Sequence, residues 1–516
     1  MHKNTPILIV GAGPVGLTVA LSLHRQGIPI RIIDRNEQAT PLSKALVLWR
    51  RSLLSLDPLI PFETFLVEGI RAQNAHFFDE GQHQATLPFL TEGHGLPPGI
   101  FIPQSRIEAI LVEALLKGGI TVERNAQLER FSQDAEGITA EMTQRGKPET
   151  LRARYLIAAD GGRSTTRHLL GLTFQGESMA SRWLLGDITV TKGPAPASIE
   201  TDVAEGDLFM SSSPEGAIAI FPISKDRFRI IVDGGSIDNN HPPKDPTAAE
   251  LQRAISERTR LEWMISETHW LSEFRINERQ IDHYIHGRVL IAGDAAHVHS
   301  PAGGQGMNTG IQDAVNLGFR LATVCHGAHP RTIERYQAER HPVARHVLTM
   351  SGRMLRAGML RQPILRKVRG HIMSLLLKFP PLKRMISDAL TEDDVSYEAV
   401  YKALKGGKEA WLGQAFPDLK ISCGAAHIPA SHLLRSQGPL YGTLLLGPSA
   451  DPKAWPTTHL GLPIRQHQLG SKGLDDAGVL QHLLTLKKDE GMLIRPDAII
   501  DYKGSAEGLT SWLSAL

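Results

Sequence analysis

Cysteine is nearly absent from this sequence, because its 516 residues include only Cys325 and Cys423. Two distant cysteines cannot form a disulfide framework. Without a Cys-x-x-Cys pair, neither a structural zinc site nor a dithiol redox pair is expected. The 22 histidines show no His-Glu-x-x-His spacing. His297 and His299 are interpreted as a structural or solvent-facing pair, and no bound metal is predicted.

An excess of charge of either sign is also missing. The 56 Lys and Arg residues nearly balance 54 Asp and Glu residues, for a formal net charge of +2. No basic arm indicates nucleic acid, and apolar runs of bilayer length are lacking. The apolar stretch from Lys3 to Leu23 could pass for a signal peptide, but its glycines and Pro14 favour a nucleotide-binding fold. The sequence predicts a cytoplasmic protein without a nucleic-acid or membrane partner.

What the chain does contain is a glycine fingerprint near its N-terminus. The stretch ILIVGAGPVGLTVALSLHRQGIPIRIIDR reads as strand, glycine turn, helix and second strand. Gly11 allows the sharp turn, Gly13 lets the backbone approach a pyrophosphate, and Gly16 lets the helix pack closely. The helix start offers free N–H groups to phosphates, and Asp34 stands where a carboxylate accepts hydrogen bonds from an adenosine ribose. These residues predict dinucleotide binding.

The length of the chain predicts more than one domain. The order of its strand-like and helix-like segments predicts an α/β fold. A Rossmann-like nucleotide-binding domain is expected over residues 1–173 and 281–400. A mostly β insertion of several short strands interrupts it at 174–280. The segment KGGKEAWLGQAFPD near residue 405 is interpreted as a linker. Beyond it, residues 410–516 alternate strands and helices as a small α/β domain.

Helices are expected on both sides of the insertion. Residues 35–75 are interpreted as a loop and then a helix, and 102–119 as a helix ended by glycines. A further helix is predicted from Met307 to Cys325. Residues 331–375 are also predicted to be helical and are rich in Arg, Met and Leu. Their basic face is interpreted as a solvated surface rather than as a membrane anchor.

Two later turns repeat the pairing of glycine with an acid at a strand end. The first is Asp160-Gly161, with Arg167 shortly after, and the second is Gly293-Asp294. A glycine-rich run follows the second turn, comprising Pro301, Gly303, Gly304, Gln305, Gly306, Met307 and Asn308. A plain nicotinamide dehydrogenase needs no such run, whereas a resident flavin does. The acid at 294 could hold the flavin polyol chain, and the following helix start could face the flavin ring.

The three motif segments together resemble the single-component FAD-dependent aromatic hydroxylases of the para-hydroxybenzoate and phenol hydroxylase type. The resemblance spans residues 5 to 345 or so. The tail, through LIRPDAIIDY, resembles the thioredoxin-like C-terminal domain of the phenol-hydroxylase branch. Because the tail lacks a redox cysteine pair, the resemblance implies a structural or oligomer-forming role, which leaves room for a homodimer.

The resemblance implies bound FAD, with NADPH or NADH as co-substrate. The implied cofactor-binding residues are Gly11, Gly13, Pro14, Gly16, Asp34, Arg35, Lys44, Gln104, Asp160, Arg167, Gly293, Asp294, Pro301, Gly306, Met307 and Asn308. Pro301 and Gly304 are the implied catalytic positions beside the flavin ring, and Asp160 and Arg167 are linked also to NADPH. Lys44 stands where the family commonly has arginine, so it offers a point donor rather than a planar fork.

The β insertion is expected to form a substrate surface over the flavin. Its candidate walls are Trp183, Phe209, Phe221, Pro222 and Arg229. Arg229 could meet a phenolate or carboxylate. The alternative for each of these side chains is an ordinary place in the core of the sheet. No catalytic base is named, because in such chemistry the cofactor performs the difficult step.

The resemblance implies NAD(P)H- and O2-dependent hydroxylation of a phenolic or other electron-rich aromatic substrate through a flavin C4a-hydroperoxide. Small aromatic substrate and O2 are then the partners. One alternative is a flavin oxidase or reductase of the same fold. A halogenase is disfavoured, because the chain lacks a Trp-x-Trp-x-x-Ile motif. A non-catalytic FAD-binding protein is the alternative from another functional class.

Overall fold

Four successive apolar residues, Ile7–Val10, are buried on both sides and form a central strand of a parallel sheet. The chain is described from a computed structural model. The described residues are 6–40, 43–89, 93–192, 205–236, 244–259, 261–405, 410–470 and 473–515. None of the helices within those ranges has the length and apolar character needed to cross a bilayer.

Strands and helices alternate through most of the described chain. The strands are β1 (Ile7–Val10), β2 (Ile30–Asp34), β3 (Val47–Trp49), β4 (Ile70–Arg71), β5 (Asn74–Asp79), β6 (Gln82–Pro88), β7 (Gly99–Phe101), β8 (Glu123–Arg124), β9 (Ala126–Gln133), β10 (Ile138–Gln144), β11 (Lys147–Ala153), β12 (Tyr155–Ala158), β13 (Gln175–Lys192), β14 (Leu208–Ser213), β15 (Gly216–Pro222), β16 (Arg227–Ser236), β17 (Trp263–Gln280), β18 (Ile285–His286), β19 (Val289–Ile291), β20 (His297–Val298), β21 (Lys420–Cys423), β22 (Ala426–Pro429), β23 (Gly442–Leu446), β24 (Thr458–His459), β25 (Leu462–Gln468), β26 (Gly491–Ile494) and β27 (Ile500–Gly504). The helices are α1 (Pro14–Arg25), α2 (Arg50–Leu56), α3 (Phe62–Glu68), α4 (Gln104–Lys117), α5 (Thr165–Leu169), α6 (Ala248–Thr259), α7 (Gly306–Cys325), α8 (Glu334–Gly358), α9 (Pro363–Leu376), α10 (Pro380–Thr391), α11 (Glu398–Lys405), α12 (Val479–Leu483) and α13 (Ala506–Ser514).

The first sheet has the strand order β18-β19-β12-β1-β2-β8 and is parallel except at β18. Ile7 lies opposite Ile30 on one side and Tyr155 on the other. Strands buried on both faces need continuous apolar sequence, which β1, β12 and β19 have. All three predicted glycine–acid turns follow strands of this sheet at their carboxyl ends, where α/β sheets bind ligands. The predicted Rossmann-like fold is confirmed.

The second sheet has the order β20-β17-β13-β16-β15-β14-β5-β6. It extends beyond the predicted insertion 174–280, because the hairpin β5–β6 from residues 74–88 completes one edge through parallel pairing of β5 with β14. The expectation of only short strands was also wrong, since β13 and β17 each span 18 residues. Pairing between segments more than 100 residues apart leaves no local signal, so the sequence did not reveal it.

The C-terminal residues form a five-stranded sheet of order β24-β25-β23-β26-β27. A thioredoxin-like identity for this unit stays a prediction. The interpretation of the preceding segment as a linker was wrong for its described part. Leu412 and Phe416 are buried, and Gly413 N–H donates to Ile500 at 2.9 Å. One continuous apolar core joins this unit to the nucleotide-binding domain.

Candidate active site

The glycine turn after β1 is shaped by contact with the neighbouring strand. Gly11 has φ +102°, and a Cβ atom there would lie 2.3 Å from the Ala159 carbonyl oxygen. A Cβ atom on Gly16 would lie 2.0 Å from the Gly11 oxygen. A Cβ atom on Gly13, by contrast, would meet no protein atom within 4 Å. The first and third glycines therefore serve packing, whereas Gly13 borders open space at the start of α1, where Pro14 is the first residue.

Asp34 at the end of β2 holds this turn in place. Its Oδ2 accepts a hydrogen bond from Ala12 N–H at 2.8 Å, and its Oδ1 accepts one from Asn36 N–H at 2.8 Å. Arg124 lies 3.4 Å from the carboxylate. Carboxylate oxygens have lone pairs to spare after one bond each, so Asp34 can also accept from a ribose. Arg35 beside it is exposed.

The turn after β12 uses its polar side chains internally. Asp160 accepts hydrogen bonds from the Ser164 hydroxyl and from Thr166 N–H, and so caps α5. Arg167 is 3% exposed and donates to the Ala295 and Gly162 carbonyls at 3.1 and 2.8 Å. Arg167 thus ties this turn to the turn after β19. A direct contact of either side chain with cofactor stays a prediction.

The turn after β19 brings an acid into the cleft. Gly293 has φ +61°, and a Cβ atom there would lie 2.6 Å from a Val15 methyl group of α1. Asp294 is exposed in this cleft, yet the surrounding protein raises the pKa of its carboxyl group by desolvation. Lys44 acts in the opposite direction on that pKa and therefore lies within electrostatic reach.

A fully buried ion network supports the Gly293 turn from below. Asp313 Oδ2 lies 2.7 Å from His297 Nε2 and accepts from Gly293 N–H at 3.2 Å. Its Oδ1 accepts from Arg340 Nε at 2.7 Å. Burial opposes ionisation of Asp313, but Arg340 and His297 outweigh it and lower the pKa of the carboxyl group. His297 is therefore structural, as predicted, and burial lowers the pKa of His299 to about 4.

The glycine-rich run leads into the N-terminus of α7. Gly303 and Gly304 have φ +83° and +65°, and a Cβ atom on Gly304 would lie 2.4 Å from a Val47 methyl group. Asn308 accepts from Trp49 N–H at 2.8 Å and donates to the Val47 and Gly304 carbonyls. Its side chain is therefore spent on protein contacts, which leaves backbone N–H groups for a ligand.

The backbone N–H groups of the first three residues of α7, Gly306, Met307 and Asn308, precede the first intrahelical bond, which Thr309 N–H makes to Gln305. Such a helix start attracts anionic charge. Pro301, one of the implied catalytic positions, lies before this start and accepts a hydrogen bond from Gly304 N–H at 2.9 Å. A catalytic role for Pro301 or Gly304 stays a prediction.

These separate loops meet around the first turn of α1. Gly11 packs on Ala159 next to Asp160, and Val15 packs on both Gly293 and Gly310. The predicted convergence of three glycine–acid segments is thus seen directly. The cradle fits FAD: two helix starts, α1 and α7, provide N–H groups, and Asp34 and Asp294 provide carboxylates at its rim.

A short segment before β3 joins this cradle to the large sheet. Gln104 at the start of α4 accepts from Ala45 N–H at 3.2 Å and donates to Glu108 at 2.8 Å. Arg229 on β16 donates to the Lys44 carbonyl at 2.9 Å. The Lys44 side chain is exposed. Gln104 therefore positions the Lys44 segment. A direct contact of Gln104 with the flavin stays a prediction.

The large sheet turns one face to the glycine-rich run and the other to α6. Trp183 clusters with Ile231 and Ala302, next to Pro301. Phe221 belongs to the cluster of Val47 and Trp49. These two predicted wall residues therefore lie on the face that borders residues 301–308.

The other three predicted wall residues need correction. Phe209 packs against Trp263 in the core under α6, and Pro222 lies opposite Phe228 of the same core. Both are on the far face, because side chains alternate along a strand. Arg229 is 1% exposed, and its guanidinium makes a bidentate pair with Asp187 at 2.7 and 2.8 Å. The charge of Arg229 is thus already neutralised by Asp187, and a third N–H donates to the Lys44 carbonyl, so Arg229 serves the sheet.

Methionines on this face were not identified from the sequence. Met210 and Met354 line the Val47–Trp49 cluster, and Met179 and Met359 pack in the Trp183 cluster. Flexible thioethers adapt to large apolar ligands. The one available signal was the Met-rich composition of residues 331–375, which the sequence analysis assigned to a solvated surface.

One cluster of acids and a histidine has the ligand types of a metal site. Among the described residues, the ligand atoms of Asp57, Glu63 and His432 lie within 4.8 Å of one another. Arg435, however, donates to both carboxylates at 2.6 Å. The guanidinium supplies the positive charge that these acids need, so the cluster is adequately explained as an ion pair.

A buried acid beneath α7 was missed by the sequence analysis. Glu392 follows α10 with φ +60° and is 1% exposed. Its carboxyl group accepts from the Thr309 hydroxyl at 3.0 Å and from the Gln312 amide. Burial raises the pKa of Glu392 to about 8, against smaller opposing effects of Thr309 and Arg340.

We expect this acid to make stability fall as pH rises. The folded state keeps the Glu392 proton up to about pH 8, whereas the unfolded state loses it above about pH 4.5. The stabilisation is complete below the lower value and declines toward the higher one. Glu392→Gln should remove this slope and exceed wild type at about pH 9 by roughly 1–4 kcal/mol. Thermal melts across this pH range, with exposed Glu257→Gln as control, provide the test; equal slopes in all three proteins would refute the assignment.

Comparisons with known proteins agree with this geometry. Residues 4–351 match the family described as FAD binding domain. A flavin-dependent monooxygenase of Mycobacteroides abscessus is 35% identical over 363 residues, covering 67% of this chain and 73% of that protein. A 12-dehydrotetracycline 5-monooxygenase/anhydrotetracycline 6-monooxygenase of Streptomyces rimosus is 30% identical over 528 residues, covering 98% and 97%.

Solved structures extend the similarity to the whole fold. An anhydrotetracycline hydroxylase from Streptomyces rimosus has a TM-score of 0.76 at 29% identity, covering 99% of this chain and 98% of that one. An aromatic hydroxylase from angucycline biosynthesis has a TM-score of 0.77 at 28% identity, with the same coverage. The predictions of FAD as cofactor and of aromatic hydroxylation are confirmed. The chain belongs to the FAD-binding-domain family, as a flavin-dependent aromatic monooxygenase.

Proposed function

We propose that this monooxygenase hydroxylates a phenolic ring within a fused polycyclic aromatic compound, with NADPH or NADH as reductant. The observation that carries the proposal is the apolar, methionine-containing sheet face that borders residues 301–308. Such a broad face suits a large flat ligand better than it suits a small, charged one. The pairing of the Arg229 charge with Asp187 also disfavours a substrate anchored by a carboxylate.

The relatives support a polycyclic substrate. The Streptomyces rimosus relative that matches nearly the whole chain is named for tetracycline precursors, and an aligned structure comes from angucycline biosynthesis. Other relatives are named for rifampicin and pentachlorophenol. The relative named for dehydrotetracycline and anhydrotetracycline covers 98% of this chain, against 81% and 67% for those named for rifampicin and pentachlorophenol.

Bound FAD supplies the activation of O2, and the protein residues have simpler tasks. Gly13 and the start of α1 would receive the pyrophosphate, Asp34 the ribose, and Asp294 the polyol chain. The N–H groups at the start of α7 would stabilise negative charge on the reduced ring. The apolar clusters of Trp49 and Trp183 would orient the substrate and exclude water, which otherwise diverts reduced flavin to peroxide.

The test is isotopic. Purified enzyme with FAD, NADPH and 18O2 is supplied with a panel of fused-ring phenols and simple phenols. We expect at least one fused-ring phenol to stimulate NADPH oxidation and to gain one 18O atom, detected by mass spectrometry. Stimulated oxidation that yields only hydrogen peroxide throughout the panel would instead indicate the oxidase alternative. Turnover of simple phenols alone would refute the polycyclic assignment.

We further infer a structural role for the C-terminal unit, where the sequence left structural and oligomer-forming roles open. Arg495 and Asp497, in the turn after β26, pair with each other and reach Glu339 of α8 and Asn316 of α7. This network supports docking of the unit onto the helices that carry the flavin cradle. A homodimer stays a prediction.

A further inference from the structure

Helix α9 packs with its sides reversed relative to an ordinary surface helix. Its buried residues are Arg366 and Gly370. Arg366 pairs with Asp79 and Glu80 of the β5–β6 hairpin, and Gly370 packs on Gln84. A surface helix normally buries its apolar stripe and exposes its charges. Here the charged and small residues face the protein.

The apolar stripe of α9 faces outward. Its members are exposed by 44–76%: Ile364, Leu365, Val368, Ile372 and Leu375. At 3.6 residues per turn these side chains span about 100° of the helix circumference, so they form a single continuous face. Phe379, just before α10, and Met385, within it, are 52% and 60% exposed. A contiguous apolar surface of this kind marks an interaction site.

The charge around this surface is predominantly positive. Residues 340–387 contain eight arginines and three lysines but no aspartate or glutamate. Among them Lys367 on α9, Lys378 between the two helices and Arg384 on α10 are exposed. No carboxylate of the described residues forms a salt bridge with any of these three. Lys367 and Lys378 therefore border the apolar stripe without a salt-bridge partner among the described residues, whereas Arg384 acts electrostatically on Asp388 of the same helix.

We propose that the α9–α10 surface binds the headgroup region of an anionic lipid bilayer. An apolar stripe flanked by lysine and arginine is the pattern of a helix that lies in the membrane interface, and anionic headgroups complement the cations. A second copy of this chain fits less well. An isologous dimer would place the same patch on both sides and so set cations against cations.

The α9–α10 surface lies close to the proposed substrate face, so membrane binding would serve the reaction. Leu377 and Ile386, from the same two helices, point inward to the Val47–Trp49 cluster of the proposed substrate face. One helix pair thus separates that cluster from the outward apolar stripe. Large aromatic compounds partition into membranes, so a membrane-bound enzyme would meet them at higher local concentration. Membrane binding itself does not depend on the proposed substrate.

The experiment is vesicle co-sedimentation of the full-length, FAD-loaded protein. The probes are vesicles of phosphatidylcholine alone and of equal parts phosphatidylcholine and phosphatidylglycerol. We expect binding to the anionic vesicles only, and weaker binding at about 0.5 M salt than at about 0.05 M, because salt screens exposed charges. Equal binding to both vesicle types, or to neither, would overturn the proposal.

Two variants locate the contact. Lys367→Gln/Lys378→Gln/Arg384→Gln should weaken partitioning roughly a hundredfold, since each cation contributes about a factor of five. The matched control, Lys402→Gln/Lys420→Gln/Lys488→Gln, changes three exposed lysines elsewhere and should bind as wild type does. Equal loss in both triple variants would overturn the assignment to α9–α10.

The apolar stripe is tested by Ile364→Ser/Ile372→Ser, with Val67→Ser/Met264→Ser as its exposed control pair. The stripe variant should lose most of its anionic-vesicle binding and the control pair should keep it. Light scattering without lipid measures the oligomeric state and so tests whether a second copy of this chain covers the face instead. A wild-type dimer that dissociates in the stripe variant would show that a second copy covers the face, and would overturn the proposal.

Discussion

Gly13→Val should give a protein that folds normally but purifies without its yellow cofactor. Gly13 has φ −81° and ψ −175°, an extended conformation that valine adopts readily, and a Cβ atom there meets no protein atom within 4 Å. The added side chain would instead occupy the space in front of α1. Loss of two charge-assisted hydrogen bonds to phosphate, each worth about 1.5–3 kcal/mol, weakens FAD binding at least about a hundredfold. Fluorescence titration with FAD and melting of the apoprotein measure the two effects separately.

Two other glycines serve as controls that distinguish a loss of FAD affinity from a loss of folding stability. Gly16→Val should lower the melting temperature as well as FAD affinity, because its Cβ atom would lie 2.0 Å from the Gly11 oxygen. Gly438→Val, at an open position in the C-terminal part, should change neither. Wild-type FAD affinity in Gly13→Val would mean that the pyrophosphate does not lie at the start of α1.

Glu339→Gln should cost about 3–5 kcal/mol of folding free energy, because it leaves the buried Arg320 without its counter-charge and removes one of those of Arg495. Glu339 is 2% exposed. It accepts two hydrogen bonds from Arg495, at 3.0 and 3.1 Å, and one from Arg320. A neutral amide can accept at one atom only, so Arg320 loses its charged partner, whereas Arg495 keeps Asp497. Urea unfolding monitored by tryptophan fluorescence measures the loss.

Glu334→Gln, an exposed change on the same helix, is the matched control and should stay within about 0.5 kcal/mol of wild type. Acid dependence provides a second readout. Burial would raise the pKa of Glu339, but Arg320 and Arg495 prevail and lower it to about 2. The stabilisation by this ion network is therefore complete above the ordinary glutamate pKa and is lost as pH falls toward 2. Equal unfolding free energies of the two variants would refute the central role of Glu339.

Local sequence was sufficient wherever the function of a residue depends on its own backbone. Gly11 and Gly16 were predicted from the requirements of one turn, and the structure shows the close contacts that enforce them. Gly293 and the start of α7 were predicted on the same grounds. Such requirements are local, so they can be deduced without knowledge of the fold.

Side-chain roles that depend on a neighbouring strand could not be predicted. Arg229 was expected to reach substrate, but its partner Asp187 lies directly opposite on β13, a register that the sequence does not encode locally. Phe209 and Phe221 looked equivalent as aromatic strand residues, yet alternation and pairing put them on opposite faces. The orientation of α9 was equally hidden, because an amphipathic pattern does not state which side faces the protein.

The β5–β6 hairpin has a practical consequence for exchanging substrate specificity among relatives. A segment graft limited to residues 174–280 would import β14 without the strand that hydrogen-bonds to it, since β5 comes from residues 74–79. Mismatched side chains at that seam would strain the sheet, and an excised segment would present a bare, aggregation-prone strand. Chimeras should therefore transplant the β5–β6 hairpin together with residues 174–280. The junctions between the two parent sequences should lie in the turns that flank each stretch.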